Sequence, residues 1–91
     1  MNKRIRALIS GRVQGVGFRY WVRSKAEESG LVGWVRNLED GKVEVVFEGE
    51  GDRLKKMVGK CKEGPALSRV DKVEEIDEET ESLKGFEIRR N

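Results

Sequence analysis

The sequence contains no histidine and only one cysteine, Cys61, among its 91 residues. Without histidine, Ser-His-Asp triads, Cys-His dyads, phosphohistidine carriers and histidine-ligated zinc are excluded. A single cysteine allows neither an intrachain disulfide nor a cysteine-rich metal site. Any chemistry must therefore proceed without the side chain that most often gains and loses protons near neutral pH.

Long apolar runs are also missing, since none exceeds three residues. No segment is therefore expected to span a membrane, and the N-terminus has no apolar stretch typical of a signal peptide. We expect a cytoplasmic protein and a monomer. The length predicts one domain, residues 1–91, and a composition of 36% hydrophobic and 40% charged residues with nearly balanced signs is typical of a folded chain.

The two halves of the chain differ in charge. Residues 1–38 have a local charge of +6 and residues 39–91 a local charge of −4, and the first 25 residues contain seven basic groups and no acid. This asymmetry is suited to attracting an anion at one region, although a net charge of +2 does not indicate a general nucleic-acid binder.

The N-terminal half predicts a strand, a glycine-rich loop, a helix and a hairpin. Alternation from Lys3 to Ser10 has the period of a strand, and from Phe18 onward apolar residues recur at helical intervals as far as Gly30. Val32 to Asn37 and Lys42 to Glu48 read as two strands joined by a tight turn that contains Asp40-Gly41.

The C-terminal half predicts a second helix and one or two strands. Asp52 is a candidate N-cap, Leu54, Met57, Val58 and Cys61 share one helical face, and Gly64-Pro65 ends the helix. Val70 to Asp77 reads as a charged edge strand, and Phe86 with Ile88 indicates a short last strand. The order βαββαβ, with this fifth strand, predicts an α+β ferredoxin-like sandwich whose helices pack on one face of a mixed antiparallel sheet.

Residues 11–19, with the sequence GRVQGVGFR, lie where the first strand meets the first helix. Glycines let the backbone direct several N–H groups at one point, a helix N-terminus adds unsatisfied donors, and Arg19 adds a planar fork of donors. Together they favour an anion-binding cradle. A merely structural turn with a solvated Arg19 explains the same residues about as well.

Asn37 ends the second predicted strand, just before the hairpin turn. Its amide can orient a water molecule by accepting and donating hydrogen bonds, although asparagine also commonly begins turns. Taken alone, its position favours the turn.

Together, residues 11–19 and the segment Gly33-Trp34-Val35-Arg36-Asn37, followed by Asp40-Gly41, resemble the acylphosphatase family. A weaker third match is Gly64-Pro65 followed by Arg69-Val70. The resemblance covers essentially the whole chain, and it implies a ferredoxin-like fold that hydrolyses the carboxyl–phosphate bond of small-molecule acyl phosphates.

The resemblance also implies roles for individual residues. Arg19 would bind the substrate phosphate, and Asn37 would orient the attacking water. The backbone N–H groups that complete the cradle would come from Gln14, Gly15, Val16, Gly17, Phe18 and Arg19. No metal and no organic cofactor are implied.

The chemistry of an acyl phosphate fits a site without histidine. The leaving carboxylate has a conjugate acid with a pKa of roughly 4–5, so it departs without being protonated. A phosphate monoester would need a general acid or a metal to expel its alkoxide. Because an amide is too weak a base to deprotonate water, we expect an oxygen of the substrate phosphate to accept that proton.

Other residues have simpler interpretations. Cys61 is expected to be a small core residue, Trp21 and Trp34 to pack in the core or against a cleft wall, and the acidic residues of 74–81 to form a solvated edge rather than a metal site. An RNA-binding module is the alternative function for this fold. The third strand, Val43 to Glu48, lacks the aromatic pattern of such modules and directs acids outward.

Overall fold

The alternating residues at the N-terminus form strand β1 (Asn2–Arg12). In the computed structural model, which describes residues 2–90, Ile5, Ala7 and Ile9 are buried in the core while their neighbours face the other side of the sheet. The strand is longer than the predicted Lys3 to Ser10. Its pairing register shifts between Ser10 and Gly11, just before the glycine-rich loop begins.

The order of the remaining elements confirms the predicted arrangement. They are helix α1 (Phe18–Glu28), strands β2 (Val32–Asn37) and β3 (Val43–Glu50), helix α2 (Gly51–Glu63), and strands β4 (Arg69–Glu78) and β5 (Phe86–Arg89). Both helices bury their apolar stripes against one face of the sheet, in a core with Val35, Val45 and Phe47. The helix residues in that core are Phe18, Val22, Ala26, Leu54, Met57, Val58 and Cys61.

The five strands form one mixed sheet in the order β4-β1-β3-β2-β5. β1 is antiparallel to both β3 and β4, and β2 is antiparallel to β3 and parallel to β5. Two helices on this sheet make the ferredoxin-like α+β fold that the pattern predicted. β4 lies at an edge of the sheet, as expected from its charged sequence.

Strand direction determines which residues meet at one end of the sheet. β1 and β2 run the same way because both are antiparallel to β3, and Ile9 and Asn37 both lie opposite Val43. β5 runs parallel to β2, with Arg36 opposite Arg89. The carboxyl ends of β1, β2 and β5 therefore lie together at what we call the site end of the sheet.

The predicted N-cap of α2 is wrong. Gly49 does not interrupt β3, which continues to Glu50, and α2 begins at the next residue, Gly51. Glu50 occupies the N-cap position without a side-chain hydrogen bond, and Asp52 lies in the first turn. There its negative charge is favourable beside the positive end of the helix dipole.

The face of the sheet away from the helices carries an open-face charge network. Arg4 donates to Glu78 at 2.8 Å and to Glu48 and Glu81 at 3.2 Å each, whereas Glu44 accepts from Arg36 at 2.6 Å. Arg6 completes it by pairing with Glu44 and Glu78, at 3.1 and 3.0 Å. The expectation of a solvated acidic edge is therefore wrong for Glu78, because β1 places Arg4 directly opposite it. Glu81 also pairs with Arg4, but its side chain is 58% exposed, as expected for a solvated turn.

Glu48 is the most buried carboxylate of this network, at only 2% exposed. Burial raises the pKa of its carboxyl, but hydrogen bonds from the N–H groups of Glu81 and Leu83 and from Arg4 outweigh this, so the pKa lies below its usual value. The same contacts fix the connection between β4 and β5 across the open face. Neither helix among residues 2–90 is long and apolar enough to cross a membrane.

Candidate active site

The glycine-rich loop between β1 and α1 is shaped by its backbone and fixed by two apolar side chains. Gly15 and Gly17 have φ angles of +74° and +76°, a region that L side chains rarely adopt. A Cβ atom at either position would meet nothing within 4 Å, so their conformation, not crowding, requires glycine. Val13 is buried and Val16 packs partly against the core. These two side chains anchor the loop between β1 and α1.

Helix α1 presents an uncapped N-terminus to this loop. Gly17 is the N-cap and supplies no side-chain bond, and the first turn contains no acidic residue. The N–H of Trp21 donates to the carbonyl of Gly17 at 3.0 Å, which makes it the first helical bond. The N–H groups of Phe18, Arg19 and Tyr20 precede that bond, so they are the donors that a helix leaves for an anion.

The side chain of Gln14 joins the loop to the β2–β3 turn. Its Nε2 donates to the carbonyl of Leu38 at 2.8 Å and to that of Lys42 at 2.9 Å. These two residues close the turn themselves, with the N–H of Leu38 donating to the carbonyl of Lys42 at 2.8 Å. One amide thus fixes the loop relative to the turn that directly follows Asn37.

A small cavity of about 100 Å³ lies at the site end of the sheet. Its lining residues come from the loop, the first turn of α1 and the end of β2: Val13, Gly15, Gly17, Phe18, Arg19, Tyr20 and Asn37. The structure therefore brings Arg19 and Asn37 into one cavity. Its volume equals about three water molecules in the liquid, which is suited to a phosphate group rather than to a complete organic ligand.

Four of the six residues predicted to form the phosphate cradle line this cavity, and two do not. Val16 packs its side chain against the core, and Gln14 directs its side chain to the β2–β3 turn. The contribution of their backbone N–H groups to phosphate binding stays a prediction. The bridging role of the Gln14 side chain was missed because its two acceptors lie 24 and 28 residues away in the sequence.

Among the residues that line the cavity, only Arg19 is charged. Among the described residues 2–90, no carboxylate forms an ion pair with Arg19, whereas Arg4, Arg6 and Arg36 each pair with at least one. Arg19 is half-buried, and the lining residues include no carboxylate, lysine or cysteine. An unneutralised guanidinium beside free N–H groups provides what a small dianion requires.

A larger cavity lies elsewhere in the described part of the chain. It measures about 750 Å³ and lies at the opposite end of the sheet, between the first residues of β1, the start of α2 and the end of β4. Its walls mix Lys3 and Lys55 with Glu75, Asp77 and Glu79. None of the predicted site residues lines it, and these charges of both signs do not converge on one small anion.

Two other predictions concern residues outside the site. Cys61 is fully buried, which raises the pKa of its thiol to about 12, so the expectation of a core residue is confirmed. Trp34 is 8% exposed and lies on the open face, where the guanidinium of Arg89 is 4.5 Å from its ring centroid. Trp21 packs partly against the core, 5.6 Å from Phe18 between ring centroids.

Comparison with known proteins agrees with this geometry. The acylphosphatase family matches residues 5–88. An acylphosphatase of Rubrobacter xylanophilus is 53% identical over 90 residues, covering 97% of this chain and 81% of the relative. Solved structures of acylphosphatases from Coxiella burnetii and Bacillus subtilis both superpose with a TM-score of 0.93. They are 41% and 38% identical, covering 97% and 98% of this chain and 93% and 99% of theirs. A chain with this fold, this loop and relatives of this kind belongs to the acylphosphatase family of hydrolases, which act on acid anhydrides.

Proposed function

We propose that the protein hydrolyses small-molecule acyl phosphates without a metal or an organic cofactor, holding the phosphate in the cavity at the site end of the sheet. The observation that carries this proposal is the convergence of three features in one cavity: the uncapped start of α1, the unneutralised Arg19, and Asn37. Each suits a different part of the reaction.

The phosphate is held by charge and by directed donors. Arg19 offers a planar fork that fits two phosphate oxygens, while the loop and the first turn of α1 supply backbone N–H groups. These donors are fixed before substrate binds, because Gly15 and Gly17 set the backbone and Val13 anchors it. Fixed donors stabilise the charge that develops on the equatorial oxygens during phosphoryl transfer.

The attacking water is oriented by Asn37. Its amide lies at the end of β2, half-buried in the wall of the cavity, and the Gln14 bridge holds the following turn in place. An amide orients the water without changing its own charge. The rate increases through positioning, because the water and the phosphorus atom are held together in a geometry suited to attack.

Proton transfer does not require a protein base. The lining residues include no carboxylate, lysine or cysteine, and the chain has no histidine. In this mechanism a phosphate oxygen of the substrate accepts the proton of the water, and the carboxylate leaves unprotonated. We therefore expect a rate that is independent of pH across neutrality once the substrate is fully ionised, whereas a titration near neutrality that the substrate does not share would contradict this route.

We further propose that the active unit is a monomer that acts in the cytoplasm on a small molecule and has no nucleic-acid partner. The open face, on which an RNA-binding module would stack bases, is occupied by ion pairs that bury Glu44 and Glu48. Sedimentation at micromolar concentration and a salt-dependent gel shift with RNA test these two points.

The test of the function is phosphate release from benzoyl phosphate in the presence of a chelator. We expect rapid hydrolysis by the wild type and a loss of about 10³-fold in Arg19→Ala and about 10²-fold in Asn37→Ala. Arg12→Ala is the matched control, since Arg12 is an exposed arginine near the same loop that does not line the cavity. A folded wild type with no hydrolysis above background would overturn the proposal.

A further inference from the structure

The residues that line the cavity account for the phosphate of a substrate but not for its acyl group. At about 100 Å³ it accommodates the phosphate, so the rest of the molecule must lie at its mouth. Tyr20 lines the cavity immediately after Arg19 and is 51% exposed, one of three large hydrophobic residues on the described surface. Its ring is therefore an accessible surface beside the phosphate position.

Arg90 reaches the same place from the other end of the chain. β2 and β5 are parallel with Arg36 opposite Arg89, so Asn37, the last residue of β2, and Arg90, the first residue after β5, lie at the same end of the sheet. The Nη2 atom of Arg90 donates to the hydroxyl of Tyr20 at 3.3 Å. Arg90 thus lies next to the cavity although it is 71 residues away from Arg19 in the sequence.

Arg23 adds a second guanidinium at Tyr20. It lies one helical turn after Tyr20 in α1, with its Cζ atom 5.7 Å from the centroid of the tyrosine ring. Among residues 2–90, neither Arg23 nor Arg90 forms an ion pair with a carboxylate.

These two cations exceed what the phosphate requires. The phosphate position already has Arg19 and the N-terminus of α1, so Arg23 and Arg90 are available to a second negative charge. The ring of Tyr20, which both guanidinium groups contact, offers apolar surface for a short methylene chain. The mouth is therefore complementary to a chain that ends in an anionic group.

We propose that Tyr20, Arg23 and Arg90 form an acyl-group subsite that favours acyl phosphates with a second carboxylate remote from the reacting carbonyl. This inference rests on the proposed hydrolysis of acyl phosphates. In it the methylene chain lies along Tyr20 while the distal carboxylate pairs with Arg23 and Arg90. The bond that breaks is the same carboxyl–phosphate bond, so only recognition of the acyl group is added.

The test compares two substrates with equal numbers of carbon atoms, glutaryl phosphate and pentanoyl phosphate. We expect the wild type to have a kcat/KM about fivefold higher for glutaryl phosphate at low ionic strength, and the ratio to fall toward one at 0.5 M salt. Arg23→Gln and Arg90→Gln should each lower the ratio about twofold and together remove the preference. Tyr20→Phe, which removes the acceptor of the Arg90 hydrogen bond, should lower it less.

Arg53→Gln is the control, because Arg53 also lacks a carboxylate partner but lies at α2, where it donates to the carbonyl of Ser29 at 3.4 Å. It should leave the substrate ratio at the wild-type value. Hydrolysis of both substrates at equal kcat/KM, or a preference that survives in the Arg23→Gln/Arg90→Gln double variant, would overturn the subsite and leave the proposed function standing. Hydrolysis of neither substrate by the folded wild type would overturn the proposed function and, with it, the subsite.

Discussion

Arg4 and Arg19 are the same residue type in opposite surroundings. The side chain of Arg4 is 10% exposed and is shared among Glu48, Glu78 and Glu81 on the open face. Arg19 lies in the cavity at the site end of the sheet and has no carboxylate partner among the described residues. One guanidinium is neutralised by the protein, and the other is left to be neutralised by a ligand.

This difference separates a structural charge from the charge to which we assign phosphate binding. Burying a guanidinium without carboxylates is costly, so the three partners of Arg4 make its burial tolerable and connect β1 to β4 and to the segment before β5. Arg19 is only half-buried, so solvent can reach it in the absence of an anion. The lack of a carboxylate partner and the place of Arg19 in the cavity together set it apart from Arg4 and from exposed arginines such as Arg53.

Arg19→Lys tests the proposed functional role of the Arg19 guanidinium. A lysine keeps the charge but cannot make the two parallel hydrogen bonds of a guanidinium, so we expect kcat/KM for benzoyl phosphate to fall by about 10³-fold with little change in melting temperature. Steady-state kinetics and thermal unfolding measure the two quantities. Retention of more than a tenth of wild-type activity would show that charge alone suffices at this position.

Asn37→Ala should separate binding from rate within the same cavity. Because we propose that the amide orients water rather than phosphate, we expect kcat to fall by about 10²-fold while the inhibition constant of inorganic phosphate stays within about twofold of the wild type. Asn37→Asp is the shape-matched companion, and its negative charge should weaken phosphate binding. Loss of phosphate affinity in Asn37→Ala would show that the assigned role is wrong.

Glu48→Gln tests the structural role of the contact between Glu48 and Arg4. The amide keeps the shape but removes the charge that faces Arg4, so we expect a loss of about 2–3 kcal/mol in the free energy of unfolding with wild-type kcat/KM. Urea denaturation and phosphate release measure these. A variant as stable as the wild type would show that Glu78 and Glu81 alone are sufficient partners for Arg4.

The same carboxyl predicts a pH dependence of stability. Its folded pKa lies below its ordinary value of 4.5, so the native state favours the ionised form more strongly than the unfolded chain does. This contribution is complete above the unfolded pKa and is lost as the pH falls through the lower, folded pKa. Glu48→Gln should therefore lose less stability than the wild type upon acidification below about pH 4.5, and equal slopes for the two would contradict this.

Gln14→Leu should have the smallest effect of these substitutions on stability and activity. The substitution removes both bonds to the β2–β3 turn while keeping similar bulk, so we expect a loss of about 1–2 kcal/mol in stability and about tenfold in kcat. The decrease in kcat should exceed any change in the phosphate inhibition constant, because the bridge positions the turn beside Asn37. Equal changes in the two constants would indicate that the whole cavity has become disordered.

Much of this molecule is predictable from local sequence. The alternation of Ile5, Ala7 and Ile9, the helical stripe of Leu54, Met57 and Cys61, and the strand–glycine–helix order around Arg19 each arise from neighbouring residues. Their periods are those of the element they form. The same local logic places Arg19 at a helix N-terminus, where an arginine can assist in binding an anion.

The remaining features depend on contacts between distant segments. Arg4 meets Glu78 because of the β1–β4 register, and Arg90 meets Tyr20 because β5 pairs in parallel with β2. No local pattern encodes either pairing. The N-cap prediction for Asp52 is wrong for a related reason, since pairing with β1 extends β3 through Gly49 to Glu50.

The central claim is that phosphate binds beside Arg19 and not at the larger cavity near Lys3. A titration of inorganic phosphate followed by amide chemical shifts tests it most directly in wild type, Arg19→Gln and Asn37→Ala. We predict wild-type shifts concentrated at Gly15 to Tyr20, lost in Arg19→Gln and retained in Asn37→Ala. Shifts centred on Lys3 and Lys55, or unchanged binding in Arg19→Gln, would contradict the account.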